Sequence, residues 1–100
     1  MAPAQVKLEW TEKAAEQLRI AYDYWADEKS TEAAETMLDK IFSAVEMLER
    51  HPEAARRGRI PATRELIIVG TPFLVVYQVS GNSVQILRVL HGARKWPERL

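Results

Sequence analysis

Residues 73–79 read Phe-Leu-Val-Val-Tyr-Gln-Val, an apolar run at both odd and even positions. Such a segment, rich in β-branched and aromatic side chains, suits a strand whose two faces are both covered, so it belongs in the middle of a sheet. Its neighbours are at hand. Residues 63–69 and 83–90 are similarly rich in Ile, Val and Leu, and Gly-Thr-Pro at 70–72 and Ser-Gly-Asn at 80–82 supply the turns between the three.

The first half has another rhythm. Val6, Leu8 and Trp10 alternate with Lys7 and Glu9, predicting a short strand. Thr11 then suits a helix cap, followed by Ala14, Ala15, Leu18, Ala21, Tyr22 and Trp25 at the helical period, with an end near Asp27 to Lys29. Ser30 or Thr31 caps a second helix, with Ala34, Met37, Leu38, Ile41, Val45 and Leu48 on one stripe, stopped by His51-Pro52. Helices joined so briefly form an antiparallel hairpin, and their common stripe needs a sheet to cover. The order β-α-α-β-β-β predicts an α+β fold, with the helical hairpin on one face of a small antiparallel sheet. Function is then expected on the other face.

The chain of 100 residues suits a single domain, 1–100, with residues 52–61 as a polar connector and residues 94–100 as a short tail. It has no cysteine, no basic-then-apolar leader pattern and no apolar run near the ~20 residues of a membrane span, so a cytoplasmic protein without membrane contact is expected.

The net charge of zero hides a division. Six basic and twelve acidic residues in 1–54 give −6, while eight basic residues against Glu65 and Glu98 in 55–100 give +6. Such polarity steers an anionic partner to one side, or lets an acidic helical surface and a basic sheet surface neutralise each other. Counting by twos puts Val84, Ile86, Arg88 and Leu90 on one face, and Gln85, Leu87, Val89 and His91 on the other. An arginine in that apolar row either pairs with a carboxylate, Glu65 being the candidate, or contacts an anion at an open groove. His91 is a candidate general acid or base, or a hydrogen-bonded structural residue. Arg94, Lys95 and Trp96 combine cations with a large aromatic surface, suited to a nucleic acid, a protein interface or the edge of the core. Arg64, with Arg56, Arg57 and Arg59, is a candidate extension of the same basic face, and His51, at a helix end, is weaker. Two histidines forty residues apart without cysteine make a poor metal signature. There is no Gly-rich phosphate loop and no G-x-S-x-G serine, so no metal or cofactor is expected.

These pieces resemble one family over nearly the whole chain: the opening strand with W-T-x-x-A, the hairpin ending LERHPEAARRGR, and above all R-V-L-H-x-x-R after a V-V-Y-x-V strand. The chain resembles toxins of the RelE/ParE superfamily, from bacterial type II toxin-antitoxin systems. That resemblance implies growth inhibition, plasmid stabilization and a cognate antitoxin protein whose C-terminal segment folds on binding. It leaves two activities open. RelE-like members are ribosome-dependent mRNA endonucleases (mRNA interferases) and carry an arginine near the start of the central strand, where this chain has Leu74. For that activity the catalytic candidates are His91, Arg94 and Arg88. ParE-like members poison DNA gyrase by protein contact, and Leu74 favours them; the target contacts are then expected from Arg64, Arg88, Arg94, Lys95 and Trp96, without enzymatic chemistry.

Overall fold

Thr11 and Ser30 set the two helices. The computed structural model describes residues 6–92. In it the Thr11 hydroxyl accepts the Ala14 amide at 3.2 Å and α1 runs Glu12–Glu28; the Ser30 hydroxyl accepts that of Ala33 at 3.0 Å and α2 runs Thr31–Glu46. A 3₁₀ turn, Met47–Glu49, follows just before His51-Pro52. No helix among the described residues is long and apolar enough to cross a membrane.

The strands are β1 (Lys7–Trp10), β2 (Arg56–Arg57), β3 (Arg64–Ile67), β4 (Phe73–Ser80) and β5 (Ser83–His91), in one sheet ordered β1-β5-β4-β3-β2. The α+β class and the hairpin on the sheet are as the sequence predicts, and β4 is central. Two features differ from a purely antiparallel, four-stranded layer. Arg56 and Arg57, in the connector, pair with Glu65 and Arg64 as an added edge strand. The sheet is also mixed: β1 lies parallel to β5, with Lys7 opposite Ser83 and Trp10 opposite Ile86. Parallel neighbours need a long crossover, and here the hairpin is part of it.

Ala14, Leu18 and Ala21 of α1 and Met37, Ile41 and Val45 of α2 pack on Val75, Tyr77, Val84, Ile86 and Val89 of the sheet. Each large side chain so buried contributes about 1.5–3 kcal/mol. Tyr77 is the largest fully buried one, and its hydroxyl donates to the Pro52 carbonyl at 2.8 Å. Burial pushes its phenol above the ordinary range, which keeps it a neutral donor.

β5 carries one residue too many. Val76 pairs with Arg88 but Tyr77 pairs with Ile86, so Leu87 is a β-bulge. Thr11 fixes it: the backbone amide donates to the Ile86 carbonyl at 3.1 Å and the hydroxyl to the same oxygen at 2.8 Å, with the Leu87 carbonyl at 3.3 Å. Beyond the bulge, the Val89 amide donates to Gln17 Oε1 of α1 at 2.9 Å. Thr11 thus serves as helix cap and bulge anchor together. Thr11→Val is expected to cost about 1–3 kcal/mol in urea unfolding, from one cap and one part-buried hydrogen bond, whereas Thr11→Ser retains most of both.

Candidate functional site

The bulge decides which way the late residues of β5 face. Directly paired residues of antiparallel strands share a face. Tyr77 with Ile86 and Val75 with Val89 lie on the hairpin side, in the core, and Val79 with Val84 precede them on that face, Val84 buried and Val79 36% exposed. Phe73 and His91 follow them, their rings edge to face at 5.7 Å. Val76 with Arg88 and Leu74 with Leu90 lie on the helix-free side. Counting by twos therefore misassigns this strand: Arg88 and Leu90 leave the row of Val84 and Ile86, Val89 and His91 join it, and Arg88 and His91 stay on opposite faces as alternation requires. The catalytic candidates Arg88 and His91 therefore do not meet on the free side of the sheet. Arg94, Lys95 and Trp96 lie outside the described residues.

On the helix-free face the register lines up Arg56, Glu65, Val76 and Arg88 across β2, β3, β4 and β5. Glu65 is 3% exposed. Its Oε1 accepts Arg56 Nη2 at 2.9 Å, and its Oε2 accepts the Arg59 backbone amide at 2.8 Å and Nε at 3.2 Å. Burial pushes this carboxyl up, but the Arg59 amide, the Arg59 guanidinium and Arg56 together outweigh it and hold it below the ordinary glutamate range. The partner that the sequence offered for Arg88 is thus held by Arg56 and Arg59, and Arg88 Nη1 donates to the Leu87 carbonyl at 2.8 Å. Gly58 makes the clamp possible: a Cβ there would lie 2.2 Å from Thr63 Oγ1. Leu74 and Val76 are buried on this face, 6% and 0% exposed.

Arg64 belongs elsewhere. It pairs with Tyr77 on the hairpin side, and its Nη1 donates to the Ala55 carbonyl at 2.8 Å and to that of Glu53 at 3.2 Å. There it ties down the connector and does not extend the basic row. His51 is exposed beyond the 3₁₀ turn, far along the chain from His91. Among the described residues no group of three His, Cys, Asp or Glu side chains could hold a metal ion.

His91 lines a groove instead. A cavity of about 790 Å³ runs between α1 and the end of β5, bordered by Gln17, Ile20, Tyr24, Trp25, Phe73 and His91. Trp25 and Phe73 meet edge to face at 5.8 Å, continuing the Phe73–His91 contact, and Lys29 Nζ sits 5.4 Å from the Trp25 ring centre. Ile20 and Tyr24 remain more than half exposed at its mouth. Neither stands out in the helix's main stripe; the available signal is their i, i+4 spacing on the flank of Ala14-Leu18-Ala21-Trp25. The groove is suited to an apolar peptide surface, and the helix-free face to polar or anionic contact.

The family model described as ParE toxin of the type II toxin-antitoxin system parDE matches residues 8–96. The candidate toxin Y4kP of Sinorhizobium fredii is 33% identical over 94 residues, which is 94% of this chain and 96% of that protein. The toxin RelE2 of Caulobacter vibrioides is 34% identical over 87 residues, covering 85% and 93%. A chain of the chromosomal ParDE toxin-antitoxin system from P. aeruginosa superposes with a TM-score of 0.79 at 30% identity, covering 87% of this chain and 96% of that one.

Proposed function

We propose that this chain, which belongs to the ParE family of type II toxin-antitoxin toxins, stops growth by gripping DNA gyrase in the cytoplasm through protein contact. The observation that carries this reading is the register of β4 with β5. Past the bulge at Leu87 it leaves Arg88 on the helix-free face and His91 on the hairpin side, and Leu74 is buried on the helix-free face of β4. Acid–base cleavage of RNA needs a proton carrier and a charge-stabilising cation around one phosphate, and these two described candidates do not surround a common point. Target contact is assigned to the helix-free face around Arg88, with Arg94, Lys95 and Trp96 as further candidates. Silencing is assigned to an antitoxin whose apolar segment occupies the groove between α1 and β5.

The relative named RelE2 keeps ribosome-dependent mRNA cleavage as the second reading. Purified chain is expected to block gyrase supercoiling at near-stoichiometric amounts, while transcript ends mapped after induction show no codon-aligned cuts. His91→Ala separates the two further. Loss of a general acid or base would lower cleavage by about 10²–10⁴-fold, whereas gyrase inhibition is expected to change less than about twofold. Unimpaired supercoiling together with new transcript ends would overturn the proposal in favour of cleavage.

A further inference from the structure

We propose that the outer edge of β1 and the apolar shelf beside it form a second protein-docking surface, which takes an extended partner segment of alternating apolar side chains flanked by lysine or arginine. β1 is the last strand of the described sheet on its side. The Lys7 and Thr11 amides point inward, to the carbonyls of Asn82 at 2.9 Å and Ile86 at 3.1 Å. Backbone groups alternate along a strand, so those of Leu8 and Trp10 point outward, where an added strand could pair with them. The Val6 amide is already taken by the Glu49 carbonyl at 3.1 Å, which limits the open stretch to Leu8–Trp10.

Side chains supply the specificity. A cavity of about 500 Å³ opens between β1 and α2, floored by Leu8, Trp10, Phe42 and Val45, with exposed Asp39 and Glu46 at its rim. Trp10 and Phe42 meet edge to face at 5.7 Å, and Phe42 is still 45% exposed. An added strand directs every second side chain onto this shelf, and the rim acids select cationic flanks. A second copy of the chain is disfavoured, because pairing two β1 edges would bring the two acid rims together. This surface lies on α2 and β1, apart from the groove of α1 and β5, so the two are separable by mutation.

The probe is a fluorescent peptide, Gly-Lys-Thr-Val-Thr-Val-Thr-Arg-Gly, in which the lysine, both valines and the arginine share one face of the strand, titrated into the intact chain by anisotropy with amide exchange read in parallel. Saturable binding is expected, with slowed exchange at the Leu8 and Trp10 amides. The double variant Asp39→Lys, Glu46→Lys is expected to weaken it about tenfold, as two screened rim pairs are lost, and Tyr24→Ser to leave it unchanged. N-methylated valines, which cannot pair with the edge, should abolish it. The idea is overturned if no saturable binding occurs, if a peptide with glutamate in place of lysine and arginine binds equally well, or if exchange at Leu8 does not change.

Discussion

Replacing both Arg56 and Arg59 by alanine is expected to cost about 3 kcal/mol of folding stability and to reverse the way Glu65 links stability to pH. The carboxylate is buried, and removing the cations leaves it with the residue-59 amide alone; breaking a buried pair from one side costs about 3–5 kcal/mol, and the half-exposed arginines place this case at the low end. In the native chain the folded carboxyl sits below its unfolded range. It therefore contributes stability above the unfolded pKa that disappears as pH falls through the folded one. Without the arginines, burial is the dominant influence and raises the folded pKa. The folded state then binds a proton more readily than the unfolded state, and mild acidification stabilises the variant relative to neutral pH. Urea unfolding at about pH 7 and about pH 5 measures both effects. Glu65→Leu, which removes the charge and fills the space, is the control and should be far milder. An equal loss in that control would show that packing, and not the unpaired carboxylate, is responsible.

The second large effect concerns the groove. Ile20→Asp together with Tyr24→Asp is expected to weaken the antitoxin complex by on the order of 10³-fold, since a central apolar or aromatic anchor contributes about 2 kcal/mol or more. Both side chains are more than half exposed in the free toxin, so the fold should tolerate the change. Titration calorimetry against the cognate antitoxin reads the affinity. Growth arrest that the co-expressed antitoxin no longer rescues is the matching cellular result. Retained affinity would move the antitoxin's main contact away from α1.

Much of the scaffold is legible in short local signals. Thr11 and Ser30 mark their helices because a hydroxyl on extended backbone is the commonest cap, and the two-sided apolarity of residues 73–77 places β4 in the middle. What period counting misses is geometry that one residue can change. Leu87 inserts without altering composition, yet it reverses the faces of Arg88, Val89, Leu90 and His91 relative to Ile86. The doublets Ile86-Leu87 and Val89-Leu90, astride Arg88, are the trace such a bulge leaves. The connector is missed for a different reason. Arg56, Gly58 and Arg59 look like a solvated basic loop until Glu65 is found buried beneath them, and that contact is set by the pairing of β2 with β3. The role of Arg64 likewise depends on the carbonyls of Glu53 and Ala55, which carry no side-chain signal.

Joining the first strand to the last has a kinetic consequence. Thr11 must meet Ile86 across 75 positions of sequence, so the sheet is closed by one of the longest loops the chain can make, a step that nucleates slowly. A nascent polypeptide with β5 still inside the ribosome lacks the neighbour of β1 and the floor of the groove beside α1. Translation through His91 therefore has to precede a complete sheet and groove, and with them any contact that the proposed function assigns to either.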